Sequence, residues 1–348
     1  MRMNKRFAII RSDGSAEIGM GHLMRCSVLA EELIARGWEV LFLTRRYDGT
    51  GVRFLESRNY PMFTIASETS LEQDCSDTCA LIQSRSATIV ITDSYKFDDV
   101  FFRKLKESGV ISLNIDDLAE VEQASDFVLN QNASATLMKY RCVEGTQLFL
   151  GTQYALIRRE LRDARLGISP ISEVTKHFLI TVGGGSDQGD VTRLLLNAVG
   201  HIDGSSADIV IGAGHSRKKS LESLCADSSG KWILHVATDN MGKLMARADI
   251  MISAGGTTSW ERCCLGVPGF CIVLAKDQEP NVRYLDKIGA AVSLGMESKL
   301  SIGVVVSAIR LLVNDTTKRR RMRDTGMGLV DGKGVYRIID SLEERLVS

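Results

Sequence analysis

The sequence predicts two doubly wound α/β domains in tandem, each a parallel sheet with helices on both faces. Three observations carry this. Short β-rich apolar runs alternate with amphipathic helical stretches, the pattern of parallel strands joined by helical crossovers. The alternation stops once, between Leu161 and Lys176, where Gly167 and Pro170 stand among polar residues, and then resumes. Small-residue turns follow strands in both series, directly before helices.

The first series opens with Phe7–Ser12. The stretch HLMRCSVLAEELIARG then has apolar residues at helical spacing and stops at Gly37, a residue free to adopt the positive φ of a helix C-cap. Strands follow at Glu39–Arg45, Met62–Ile65 and Ala87–Asp93. DDVFFRKLKESG is a second amphipathic helix, with acids at its start, where the dipole favours them, and Gly109 at its stop. Val110–Asp116 and Phe127–Asn130 complete this series. After the linker the strands are His177–Val182, Asp208–Ile211, Trp232–Val236, Asp249–Ser253, Gly269–Ala275 and Ala291–Leu294. The domains are therefore placed at 1–165 and 171–335, with a helix over 336–348 as a candidate crossover back to the first. Ligands of such sheets sit at the carboxyl ends of the strands, so a cleft between the domains is the expected site.

Composition narrows the function classes. The chain has 348 residues, 44% hydrophobic and 25% charged, a length that favours two domains over one. Lys plus Arg and Asp plus Glu are 43 each, so no charge excess points to nucleic acid or an anionic membrane as partner. The basic run KRRRMR, Lys318 to Arg323, reads as a solvated helix face. No apolar segment is long enough to span a bilayer, and the apolar part of MRMNKRFAII is too short for a signal peptide. The eight cysteines lack metal-binding spacing and read as small hydrophobes in a reducing cytoplasm.

Chemistry concentrates in three turns: SDGSAEIGMGH, LITVGGGSDQGD and DIMISAGGTTSWE. Small residues between a strand end and a helix start turn backbone N–H groups and the helix dipole toward the sheet edge, which suits an anion. Three such turns point to a phosphorylated ligand. None is a P-loop, and neither GMGHLM nor GGGSDQG gives a dinucleotide fingerprint, since the second strand, EVLFLTRR, ends in arginines rather than the ribose-binding acid.

From residues alone, His22 is either a general base or a cap or packing residue at the helix start. Asp13 either assists as a second carboxylate or caps the glycine turn. The acids of TDSY (Thr92–Tyr95) and NIDD (Asn114–Asp117) either bind ligand or act as helix N-caps, with capping the favoured reading for Asp117. Glu261 is either a ligand-binding carboxylate or a first-turn acid favoured by the dipole, and Trp260 is packing beneath that turn. His177, His201, His215 and His235 show no ligand spacing.

RSDGSAEIGMGHLMRCSVLAEEL, NIDDLA, YALIRRE, ITVGGGSD and SAGGTTSWERCCLGVPGF, in that order along the chain, resemble the UDP-sugar hydrolase family of pseudaminic acid biosynthesis, a family with the GT-B fold. The second half, through HVATDNMGKLMARADIMISAGGTTSWE and GVPGFCIV, also resembles a wider GT-B group that includes the N-acetylglucosaminyltransferase of lipid II synthesis. The resemblance implies a substrate, UDP-2,4-diacetamido-2,4,6-trideoxy-β-L-altrose, and its hydrolysis to UDP and free sugar. It implies that Gly255, Gly256, Thr257 and Thr258 hold the diphosphate, that Glu261 accepts hydrogen bonds from the ribose, and that Val236 and Met241 border the uracil. Gly184 and Gly185 would line the site near the phosphates, and Gln278 and Asn281 would contact the sugar or ribose. His22 would prepare water for attack at the anomeric carbon, with Gly19 and Gly21 leaving room for substrate. The expected protein is a cytoplasmic monomer that needs no metal or other cofactor and binds neither nucleic acid nor membrane. A GT-B glycosyltransferase and a non-catalytic nucleotide-sugar binding module are the alternatives. The first lacks a basic amphipathic patch for a lipid acceptor, and an intact His22 motif argues against the second.

Overall fold

In the computed structural model, which describes residues 6–182 and 189–347, β1 (Phe7–Ser12) is buried along its whole length and lies inside a parallel sheet. The chain continues through α1 (Gly21–Ala35), β2 (Glu39–Arg46), α2 (Thr50–Ser57), β3 (Met62–Ala66), α3 (Leu71–Arg85), β4 (Ile89–Asp93), α4 (Asp99–Glu107), β5 (Ile111–Ile115), β6 (Phe127–Asn130) and β7 (Gln147–Leu150). Strand order is β3-β2-β1-β4-β5-β6-β7. The order reverses between β1 and β4, which pair in parallel with Ser12 beside Asp93. The loops leaving these two strands therefore diverge to opposite faces, and the crevice this opens at their carboxyl ends is where such sheets bind ligands.

α5 (Arg159–Arg165) leads to a second sheet. It is built from β8 (His177–Thr181), α6 (Val191–Val199), β9 (Ser206–Ile211), α7 (Lys218–Ala226), β10 (Trp232–Val236), α8 (Met241–Arg247), β11 (Ile250–Ala254), α9 (Thr258–Leu265), β12 (Gly269–Val273), α10 (Glu279–Lys287), β13 (Val292–Met296), α11 (Ile302–Val313) and α12 (Thr316–Leu329). The order β10-β9-β8-β11-β12-β13 repeats the first arrangement, with the reversal between β8 and β11. α13 (Gly334–Val347) ends the chain.

The chain divides into two compact units, Met1–Leu156 with Lys333–Ser348, and Ile157–Gly332. In the first, α13 lays Val335, Ile338, Ile339 and Leu342 into the same core as Ala8 and Ile10 of β1 and Leu29 and Leu33 of α1. Burying each such side chain contributes roughly 1.5–3 kcal/mol. Trp38 Nε1 donates to Glu343 at 3.0 Å, which fixes the helix from its polar side. Gly334 is required there, since a Cβ would lie 2.5 Å from the Ala155 carbonyl.

Three sequence expectations need correction. Residues 157–165, read as the end of the first domain, group with the second unit. The fully buried Leu161 and the close approach of Gly242, whose added Cβ would sit 3.0 Å from the Glu160 carbonyl, bind α5 to α8. β7 has no counterpart among the strands expected from sequence: it is a four-residue edge strand in which only Phe149 is buried, too short to show alternation. KRRRMR is not wholly a solvated face. Arg319 is fully buried, donating to the carbonyls of Leu312 at 2.9 Å and Ser172 at 2.9 Å, so it closes the end of α11 and ties down the linker. Among the described residues no helix is long and apolar enough to cross a membrane.

Candidate active site

His22 stands in the first turn of α1, at the carboxyl end of β1. Its Nδ1 lies 2.6 Å from Oδ1 of Asp93, the last residue of β4, so the two residues meet where the strand order reverses. Asp93 is buried. Arg25, one turn after His22 on the same helix face, donates to it twice, from Nε to Oδ2 at 2.6 Å and from Nη2 to Oδ1 at 2.6 Å. The remaining guanidinium nitrogen of Arg25 donates to Asp117 Oδ2 at 2.7 Å. Asp117 also accepts from Tyr95 Oη at 3.0 Å and from Asn132 Nδ2 at 2.8 Å. The Tyr95 ring meets the His22 imidazole edge to face, with centroids 4.8 Å apart. β1, β4, β5 and β6 thus each deliver a residue to one corner of the first sheet.

The electrostatics follow from burial and pairing. Burial would raise the Asp93 carboxyl, but the Arg25 charge and the hydrogen bonds from Arg25 and His22 outweigh it and hold the group below the usual carboxylate range. Burial likewise works against the Arg25 charge, and Asp117 and Asp93 reverse it, keeping the guanidinium protonated well above its ordinary value. Burial, with Asp117 next, pushes the Tyr95 hydroxyl up. Asp93 is thereby a fixed anion that can only accept. It holds the neutral imidazole as the Nδ1–H tautomer and leaves the Nε2 lone pair, which has no hydrogen-bond partner among the described residues, to take a proton.

Asp13 belongs to a different network. Arg11, two residues earlier on the same strand face, donates to it from Nη1 at 2.6 Å and Nη2 at 3.0 Å, and the Arg45 backbone N–H donates at 2.7 Å. Arg11 also grips Asp74, from Nε at 2.8 Å and Nη2 at 2.6 Å, and Arg45 reaches Asp74 at 2.7 Å. None of Asp13's hydrogen bonds reaches His22 or ends a glycine turn. The carboxylate on His22 is Asp93, and Asp117, read as a helix cap, is a partner of Arg25 instead. The N-cap of α4 is Asp98, whose Oδ1 accepts from the Phe101 N–H at 2.9 Å. Gly19 adopts φ +81, open only to glycine without strain, and lets the loop double back so that Ser15 and Gly19 pair just before α1. Gly21 begins α1 and is exposed.

In the second unit Gly255 and Gly256 join β11 to α9. A Cβ on Gly255 would lie 2.2 Å from Val282 Cγ2, so only glycine lets α10 pack this closely on the turn. Thr257 is exposed and Thr258 half-buried at the start of α9, and no side chain caps this helix end. Its first N–H groups form an anion-accepting terminus. Glu261 lies one turn in, and Arg158 donates to both of its oxygens, from Nε at 2.7 Å and Nη2 at 3.1 Å. Gln278 folds back on its own loop, accepting from the Leu274 N–H at 3.1 Å, with its amide nitrogen near Gly256. Asn281 is buried in α10. Val236 ends β10 half-buried, and Met241 opens α8 buried. Trp260 is buried under the turn. Gly184 and Gly185 lie outside the described residues.

The architecture is found in solved glycosyltransferase structures. The protein is similar over 97% of its length to the crystal structure of Acinetobacter baumannii MurG, covering 99% of that chain with a TM-score of 0.68 at 17% identity. The fold is GT-B. Residues 179–340 match the glycosyltransferase family 28 C-terminal domain. Across 341 residues the chain is 23% identical to the spore coat polysaccharide biosynthesis protein SpsG of Bacillus subtilis, covering 96% of this chain and 97% of that one. It is 27% identical over 291 residues to the UDP-2,4-diacetamido-2,4,6-trideoxy-beta-L-altropyranose hydrolase of Campylobacter jejuni, covering 81% of this chain and 96% of that protein.

Proposed function

We propose that this protein hydrolyses a UDP-linked 2,4-diacetamido-2,4,6-trideoxy sugar to UDP and the free sugar, in the assembly of a nonulosonic acid such as pseudaminic acid. The observation that carries the reading is the His22–Asp93 pair, with Asp93 clamped by Arg25 and Nε2 left open. The likeness to the Campylobacter jejuni hydrolase supports the substrate class.

In this reading His22 Nε2 takes a proton from water as the water oxygen bonds to the anomeric carbon. The bond from that carbon to the diphosphate oxygen breaks, and its electron pair leaves with UDP. UDP is a good leaving group, so the main demand is to stabilise charge developing on its phosphates. The N-terminus of α9, with Gly255, Gly256, Thr257 and Thr258, suits this because its N–H dipoles are already oriented. Glu261 accepts from the ribose, Val236 and Met241 border the uracil, and Gln278 and Asn281 face the sugar or ribose. Arg25 and Asp117 act on substrate only through Asp93 and His22.

A second reading, transfer of the sugar to an acceptor hydroxyl, is favoured by the glycosyltransferase family 28 match and would use the same base. UDP release in water, with no acceptor present, separates the two. The wild type should release UDP, and His22→Ala should lose about 10²–10⁴-fold in turnover while UDP affinity by calorimetry stays near wild type. Release that begins only on adding an acceptor refutes hydrolysis. His22→Ala turnover within threefold of wild type refutes the base.

A further inference from the structure

The segment YALIRRE, Tyr154 to Glu160, has no part in the chemistry above, yet it supplies the partner of Glu261. Arg158 stands just before α5, between the buried Ile157 and Leu161, and α5 packs on α8 and α9. All three guanidinium nitrogens meet carboxylates: Nε and Nη2 take the two oxygens of Glu261, and Nη1 lies 2.9 Å from Glu160 Oε1. The two-point grip on Glu261 is the fork geometry in which Arg fixes a carboxylate in plane as well as in place. Both side chains are only 12% exposed. A glutamate in the first turn of an exposed helix would otherwise sample several rotamers.

We infer that Arg158 is a positioning residue that presents one oxygen of Glu261 to the ribose 2′-hydroxyl, so that the site prefers nucleoside diphosphates with an intact 2′-hydroxyl. A carboxylate has about four lone-pair directions. Arg158 occupies the inward-facing one on each oxygen and leaves the outward-facing ones, which point to opposite sides, so a ribose meets one oxygen of Glu261, through its 2′-hydroxyl. The inference rests on the UDP reading of the α9 terminus.

The test is calorimetric titration of UDP and of 2′-deoxy-UDP into the full-length wild type, Arg158→Ala and Arg158→Lys. The wild type should bind UDP about tenfold more tightly than 2′-deoxy-UDP. Arg158→Ala should weaken UDP by about that factor, leave 2′-deoxy-UDP little changed, and bring the ratio close to one. Arg158→Lys, which keeps the charge and the packed stem but not the fork, should fall between, and it carries the test if the alanine variant does not fold. A merely structural role would weaken both ligands together and preserve the ratio, so an unchanged ratio in both variants overturns the inference. A wild type that binds UDP and 2′-deoxy-UDP equally overturns the ribose role of Glu261. A wild type that binds neither overturns the UDP reading itself, a failure distinct from that of Arg158.

Discussion

Replacing Asp93 by asparagine exchanges one carboxylate oxygen for an amide nitrogen and nearly preserves shape. In the wild type that carboxylate receives three nitrogen donors at 2.6 Å, one from His22 and two from Arg25. An asparagine can offer one acceptor oxygen, and its NH₂ must then face a donor. If the oxygen stays with Arg25, the amide donates to His22 Nδ1. The imidazole then carries its proton on Nε2, where it can no longer accept one from water. The turnover lost should therefore be of the size seen when a His–Asp pair is given the wrong tautomer, about 10³–10⁴-fold. Stability should also fall. Breaking a buried ion pair costs about 3–5 kcal/mol, and because Arg25 keeps Asp117 the lower end applies. That corresponds to roughly 6–12 °C in melting temperature for a unit of this size. UDP affinity should stay within about threefold, since Asp93 belongs to the first unit and the proposed UDP-binding residues to the second. The assay is UDP release from the nucleotide sugar at a temperature where circular dichroism shows the variant folded, with UDP titration in parallel. Turnover within tenfold of wild type in the folded variant refutes the argument that Asp93 sets the His22 tautomer.

Glu261→Ala should weaken UDP binding ten- to a hundredfold, about 1.5–3 kcal/mol for a lost hydrogen bond to a charged group, without unfolding the protein, as calorimetry would show. Asp13→Asn should lower the melting temperature, because it leaves the buried Arg11 and Arg45 facing a neutral partner, yet keep turnover of the folded protein within about fivefold. A larger loss in turnover would return Asp13 to the chemistry. Turnover should survive EDTA, since the diphosphate is assigned to backbone N–H groups and a helix dipole. Loss that magnesium or manganese restores would refute that assignment.

The strand frame was legible because buried parallel strands are short apolar runs between glycine-rich turns. Phe7–Ser12, Phe127–Asn130 and Trp232–Val236 match their sequence bounds to the residue. The edge strand at Gln147 was not legible, since a strand half open to solvent has no continuous apolar run. His22 stood out as a histidine in a turn, but Asp93 lies 71 residues from His22 and 68 from Arg25, and 92 residues separate Arg25 from Asp117. Periodicity carries no information across such gaps. Topology does: β1 and β4 are neighbours, so acids ending β4 had to lie beside the loop after β1. Two local signals in the sequence carry part of these networks. Arg25, three residues after His22, had to share its helix face, and Arg11, two residues before Asp13, had to share its strand face and pair with it. The basic run at Lys318 misled because a row of arginines has the same composition whether its side chains reach water or the carbonyls at the end of a neighbouring helix.

The central claim is that water attacks the anomeric carbon, and the oxygen of that water reports where it went. Turnover of the UDP-diacetamido sugar in H₂¹⁸O, with no acceptor present, followed by mass spectrometry of the nucleotide, reads this directly. The nucleotide is the product to read, because the anomeric oxygen of the free sugar exchanges with solvent as the ring opens and closes. Attack at carbon predicts UDP of unlabelled mass, since both bridging and terminal oxygens of the diphosphate stay with UDP. UDP that gains one ¹⁸O would place the attack at phosphorus and contradict the account.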